Sequence, residues 1–334
     1  MNRLLAGVAL AALTVTQGAT GATVLTGQAG ASGGSTHVPL VAFAKTASDA
    51  GVAEIQVTDG NTLTKAAIAV SVGKADIAVL PIAVLNLLNK GVGPYKKMGK
   101  EKSQAIKSNL RQLFGYKAGF YTFVTFADSG INSLADIKGK KVLVGPPSGA
   151  ASVNSMAILK AATGYEGGKD YEAIKMGWGA VQQAFIDKKV DVIVRPGPWP
   201  NALFSQLVSS GDLRVFGMSE TLSKVKRAGL KPAKVATSLL GKGFVFTNES
   251  GGEVSQMSYM MSFNVNKDMT DEMAYNVTKA FFDRYDHAMK AAAWMPGLEI
   301  NKVVTGLESV GGKIHPGALR YYDEAGIAVP ASLR

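Results

Sequence analysis

One pattern recurs along this chain and limits what it can fold into. A short apolar strand gives way to a loop of small polar residues, and the loop runs into an amphipathic helix. Residues 23–25 lead into GASGG (30–34), after which Pro39 opens a helix running through Lys45, its fixed φ suiting a first turn. Residues 54–57 lead into TDGNT (58–62) and the helical run LTKAAIAVSVGK, and 75–80 form a third strand stopped by Pro81. KKVLVGPPSGAAS (140–152) and KKVDVIVRPGPWPNALF (188–204) repeat the unit. Strands alternating with helices argue for parallel α/β sheets. The β-branched runs 142–144 and 190–194 read as strands covered on both faces. Ligands of such sheets bind beyond the carboxyl ends of the strands, where these small-residue loops lie.

Other elements are marked by their ends. Residues 121–126 read as a strand, and Ser133 with Asp136 forms a capping box at a short helix. A long strand is expected over 257–265. The helix after it is capped by Thr270, with Asp271 and Glu272 complementing its dipole. Met273, Val277, Ala280, Phe281 and Ala288 mark its apolar face, and Pro296–Gly297 ends it. No tandem repeat is expected.

The 334 residues suit roughly two domains of about 150 each. The first 22 residues read as a secretory signal: Arg3, an apolar run over 4–15 too short to span a bilayer, and small residues at 20–22 for cleavage. Cysteine is absent, which excludes disulfides, thiol catalysis and a lipidated cysteine at the cleavage site. Without that anchor, a periplasm is the expected address. The formal net charge of +11 favours association with anions. Much of it sits in residues 90–111, Gly-rich and basic without interleaved aromatics, which read as a solvated insertion. No stacking or groove-reading element for nucleic acid accompanies it.

GASGG poses a choice between a serine nucleophile elbow, a phosphate loop and a pocket wall. It fits G-x-S-x-G after a strand. A nucleophile needs a histidine base and an acid, however, and the three histidines are His37, His287 and His315. Only His315, with Asp286, falls in a usable order. The glycine spacing is not a dinucleotide fingerprint, no P-loop occurs, and scattered histidines with no cysteine leave no metal-ligand set, so neither cofactor nor catalysis is expected. GPPSGAAS offers the Ser148 and Ser152 hydroxyls and backbone N–H groups at a helix N-terminus, where negative charge is favoured. Arg195 ends an apolar strand just before PGPWP. It reads either as a bidentate carboxylate clamp or as half of a structural salt bridge. Trp178 and Trp199 read as pocket walls or as packing.

Three stretches carry a family resemblance: GASGGSTHVPL, ADSGINSLADIKGKKVLVGPPSGAAS and HPGALRYYDEAGI (315–327). Over nearly the whole chain after the leader, the sequence resembles the TAXI-type solute receptors of tripartite ATP-independent periplasmic (TRAP) transporters. That resemblance implies an α/β, type II-like periplasmic binding fold of two lobes joined by crossing strands, with a ligand cleft between them and no catalytic machinery. Lobe one is expected from 23–126 and 240–334, lobe two from 127–239. The cleft would be lined by Ser32, Gly33, Gly34, Thr36 and His37; by Asp59, Gly60, Asn61 and Thr62; by Ser148, Gly149, Ala150 and Ser152; and by Arg195, Gly197 and Trp199. The implied ligand is a small organic acid or acidic amino acid, the implied partners are a TRAP transporter's membrane subunits, and a monomer is expected. A receptor for an ATP-driven importer or a sensor kinase is the neighbouring reading, and a secreted serine esterase the remote one. The chain departs from the family pattern at His37–Val38, Lys65 and Pro81–Ile82.

Overall fold

The computed structural model describes residues 23–218, 222–286, 288, 304 and 307–334. The expected leader, His287 and the helix end at Pro296–Gly297 lie outside the described residues. In chain order the first elements are β1 (Thr23–Gln28), α1 (His37–Asp49), β2 (Ala53–Thr58), α2 (Leu63–Ser71), β3 (Ile77–Pro81), α3 (Ile82–Lys90), α4 (Lys100–Ser108) and β4 (Leu110–Phe126). Next come β5 (Lys141–Gly145), α5 (Ala150–Thr163), β6 (Glu172–Lys175), α6 (Val181–Ile186), β7 (Val192–Gly197), α7 (Ala202–Leu207) and β8 (Leu213–Phe216). The chain continues with β9 (Leu230–Ala236), β10 (Phe244–Thr247), β11 (Glu253–Asn266), α8 (Asp271–Asp283) and α9 (Pro316–Glu324).

Two parallel β-α-β units flank a pair of long antiparallel strands. The sheet order is β2-β1-β3-β11-β4-β7-β5-β6, with β8, β9 and β10 attached beside β4 and β11. β1 pairs in parallel with β2 and β3, and β5 pairs in parallel with β6 and β7. β4 and β11 serve both sides. Residues 77–81 of β3 pair with 261–265 of β11, while residues 120–124 of β4 pair with 193–197 of β7. This is the two-lobed α/β arrangement with crossing strands.

One apolar core runs from the first lobe into the second, reaching Val142, Val144, Val192 and Val194, and a smaller one lies within the second lobe. Phe43, Phe114, Phe263 and Phe281 cluster in the first, with Phe114 and Phe263 stacked 4.4 Å apart. The second is built on Leu143, Phe185, Ile193, Phe204 and Leu213. Gly119 lies where β4 passes from one lobe to the other. It sits at φ +139°, and a Cβ there would lie 2.1 Å from the Gly197 carbonyl oxygen, so glycine is needed for that close approach.

Several expectations are refined. The lobes carry a repeat that the sequence reading missed: KADIAVLP (74–81) and KVDVIVRP (189–196) both follow K-x-D-x-x-V-x-P. The two aspartates act alike. Asp76 accepts the Thr26 N–H at 2.7 Å, and Asp191 accepts the Lys141 N–H at 2.7 Å, each tying the third strand of its unit to the first. The segment 90–111 is not a solvated insertion. It forms the end of α3, a 3₁₀ turn, α4 and the start of β4, with Tyr95 and Ile106 buried and the Ser103 hydroxyl donating to the Leu88 carbonyl. The Ser133–Asp136 capping box forms, though on a 3₁₀ turn, and Thr270 caps α8 by accepting the Met273 N–H. α1 starts at His37, so Pro39 lies inside its first turn. Among the described residues no helix is long and apolar enough to cross a membrane.

Candidate functional site

The carboxyl ends of the parallel strands from both lobes converge on one cavity of about 700 Å³. On the first lobe's side, the loop after β1 and the loop after β2 are zipped together. Gly60 N–H donates to the Gly30 carbonyl at 2.7 Å and Asn61 N–H to the Ala29 carbonyl at 3.2 Å. Gly33 and Gly60 take positive φ to make these turns. Thr36 is buried and accepts the Gly30 N–H through Oγ1 at 2.9 Å. On the second lobe's side, the loops after β5, β6 and β7 supply Pro146 and Gly149–Ala151, Gly177–Gly179, and Arg195–Pro198.

Most of the expected residues lie on this wall: Ser32, Gly33, Gly34, Thr36, Asp59, Gly60, Asn61, Thr62, Gly149, Ala150, Arg195 and Gly197. Four lie off it. The His37 Nδ1 accepts the Gly33 N–H at 3.3 Å, and its Nε2 faces Asp59 at 3.7 Å, so it braces the loop from behind. Ser148 is exposed at φ 58°, and its carbonyl accepts from Thr64 Oγ1 of the opposite lobe at 3.2 Å. Ser152 is buried and turns its hydroxyl back to the Gly149 carbonyl, a bond open to any serine in a first helical turn. Trp199 is packed between Phe120 and Phe246 and donates its indole N–H to Thr122 Oγ1 at 2.8 Å.

The crossing strands supply wall residues that the sequence reading did not name. Tyr121 of β4 and Tyr259 and Met261 of β11 line the cavity, as do Asn201 and Gln206 around α7. The two tyrosine rings meet edge to face, with centroids 5.4 Å apart. The Tyr259 hydroxyl is hydrogen-bonded to Ser35 Oγ at 2.8 Å, and the Tyr121 hydroxyl accepts from Asn154 at 3.0 Å. Burial pushes the Tyr121 phenol up to about 12 and raises Tyr259 further, so both stay neutral.

Arg195 stands apart from every other basic residue on the wall, because there is none among the described residues. Its Nε is buried without a hydrogen-bond partner, and no ion pair among the described residues includes it. The guanidinium carbon lies 4.2 Å from the centroid of the Trp178 ring, a cation–π contact that leaves the fork open to the cavity. Desolvation pushes its pKa down to about 10, so it remains cationic at neutral pH, held at a cost. Of the two readings open from sequence, the structural salt bridge is not formed among the described residues.

Ser32 is exposed at the cavity mouth. His315 and Asp286 are not on that wall. His315 is fully buried, its Nδ1 accepting the Gly317 N–H at the start of α9 and its Nε2 facing the Met269 carbonyl at 3.0 Å. The serine-elbow geometry is not assembled around Ser32.

The sequence profile of the NMT1-like family matches residues 28–326. The chain belongs to the NMT1-like family. The match runs from the end of β1 to beyond α9, so it covers both lobes and every wall segment of the cavity. Among solved structures, the chain is similar to the sugar acid binding protein DctPAm from Advenella mimigardefordensis, in complex with galactonate. There the identity is 15% and the TM-score 0.47, over 92% of this chain and 86% of that one. It is also similar to DctP7, a Bordetella pertussis extracytoplasmic solute receptor binding pyroglutamic acid, at 13% identity and TM-score 0.48, over 93% and 97%. A third is the periplasmic aliphatic sulphonate binding protein SsuA from Escherichia coli, at 12% identity and TM-score 0.46, over 93% and 96%.

Proposed function

We propose that this NMT1-like protein is a solute receptor that captures a small organic anion between its lobes. The observation that carries the reading is Arg195: a half-buried, desolvated cation whose Nε is buried, with no acid partner among the described residues, opening into a cavity between two lobes. Such a charge is costly unless something pairs with it. A ligand carboxylate offers the planar, bidentate geometry that a guanidinium fork matches. The Thr64 to Ser148 bond crosses the wall from one lobe to the other, and hinge closure around the ligand is the motion we expect.

The finer reading is that the receptor is of TAXI type, is exported to the periplasm by residues 1–22, acts as a monomer without catalysis, and delivers its solute to a TRAP transporter's membrane subunits. Support comes from the three family-like stretches, two of which build the cavity wall at 30–36 and 146–151. We propose lobe one from 23–126 and 240–334 and lobe two from 127–239. β10 reaches across that division, since it pairs with β8.

Thermal unfolding against a panel of organic acids and amino acids tests the reading. A ligand present at 100 times its dissociation constant adds about 2.7 kcal/mol to the native state, a shift of several degrees. One carboxylate should stand out. If no acid shifts the midpoint of protein freed of bound solute, the receptor reading fails.

A further inference from the structure

Resting on the carboxylate reading above, we infer that the solute is a monocarboxylate with a sizeable apolar body, an aromatic or branched aliphatic acid. Dicarboxylates, acidic amino acids and sugar acids fit the cavity poorly. Three observations converge on this class.

The first is charge. Among the described residues Arg195 is the sole basic side chain on the wall and Asp59 the sole acidic one. A second carboxylate held in the cavity would have no cation to pair with, and burying it unpaired is expensive. Asp59 would repel it. That aspartate lies toward solvent, its side chain 42% exposed and 3.7 Å from His37.

The second is polar capacity. A sugar acid needs a partner for each hydroxyl, since every one left unmet in a buried site costs affinity. Several of the acceptor oxygens that a sugar's O–H groups would need on this wall are already engaged. The Ser35 and Tyr259 hydroxyls are bonded to each other, Tyr121 accepts from Asn154, Thr36 accepts the Gly30 N–H, and the Asn201 amide oxygen accepts the Leu203 N–H.

The third is shape and size. Trp178, Tyr121, Tyr259, Met261, Leu63 and Leu203 give the cavity broad apolar walls around one cationic point. A volume of about 700 Å³ lies in the ordinary range for pockets that enclose a drug-sized molecule. A four- or five-carbon diacid would leave most of that space to water, whereas an apolar body would displace it. Each buried methylene adds to the favourable transfer from water.

Calorimetric titration of the full protein tests the class. The protein is stripped of bound solute in denaturant and returned to buffer, and its circular dichroism is matched to that of untreated protein. Phenylacetate and 4-methylpentanoate should bind at least about tenfold more tightly than glutarate, L-glutamate and gluconate, a difference of about 1.4 kcal/mol. Phenylacetamide, isosteric but uncharged, should bind at least tenfold more weakly than phenylacetate. Trp178→Leu, which keeps the packing volume apolar, should weaken phenylacetate severalfold and leave the thermal midpoint unchanged.

Equal or tighter binding of a diacid, glutamate or gluconate would overturn the monocarboxylate class and leave the receptor reading standing. Phenylacetamide matching phenylacetate would overturn the role of the carboxylate. No binding by any of the acids would overturn both.

Discussion

The two lobes are built on the same plan and end in different chemistry. In each, a K-x-D-x-x-V-x-P segment forms the third strand, and its aspartate pins that strand to the first through a backbone N–H at 2.7 Å. The residue before the proline is Leu80 in the first lobe, fully buried, and Arg195 in the second, facing the cavity. One scaffold position thus closes a core on one side and places the sole cation of the wall on the other. The first lobe is also the larger, since α8 and α9 pack against its helices and His315 is buried among them. The same scaffold position is thus apolar and enclosed in the first lobe and charged at the cavity in the second, where the proposed ligand would meet it.

The sharpest way to break this comparison is to exchange the chemistry. Leu80→Arg buries a charge in a core that offers no cavity. It should cost more than about 3 kcal/mol in denaturant unfolding, or prevent accumulation of folded protein. A variant as stable as the wild type would show that the two positions are not distinguished by their surroundings. Gly119→Ala probes the joint between lobes. With φ at +139° and the Gly197 oxygen 2.1 Å from the added carbon, it should lower stability by about 2–4 kcal/mol in the same assay.

Arg195→Met should act in opposite directions on the two properties. Ligand affinity should fall by more than tenfold, while the unliganded protein becomes more stable by about 1 kcal/mol, because a desolvated charge is removed. The sign follows from the pKa. A base pushed down to about 10 by burial penalises the fold at every pH where it is charged, and the penalty fades as pH rises through that value. Ligand affinity in the wild type should be lost over the same rise, read by titration between pH 8 and 11.

The smallest effect is expected in the first lobe at His315. Desolvation lowers its pKa; Asp271 at 3.7 Å and the bond to the Met269 carbonyl act the other way, and Arg111 adds to the lowering. The unfolded chain therefore takes up the proton first. Stability should fall as pH drops below about 6.5, and His315→Gln should flatten that slope. A slope unchanged in the variant would assign the acid sensitivity elsewhere.

Much of this plan was legible in the sequence because strand, small-residue loop and helix start follow one another closely. That rhythm located the loops at 30–36, 59–62, 146–151 and 195–198, and placed Arg195 at a strand end where a core residue would be ordinary. The wall tyrosines were not legible. β4 and β11 are buried along most of their length whatever the residue type, so the residue pattern does not say which side faces a cavity. Ser152 and Trp199 misled for a related reason: residue type shows that a hydroxyl or an indole is present but not where it turns. Ser152 spends its donor on Gly149, and Trp199 on Thr122 inside a core. The lobe repeat escaped because identity is confined to one strand, while the loops that follow β1 and β5 differ in length.

The central claim is that Arg195 grips a carboxylate between the lobes. Its most direct test is parallel titration of the wild type and Arg195→Met with one acid, alongside circular dichroism to confirm that both are folded. The account predicts one site per chain in the wild type and at least a tenfold loss in a variant that is folded and more heat-stable. Equal affinity in the two proteins would contradict it, and would leave Arg195 as a charge that the fold carries for a reason unrelated to the ligand.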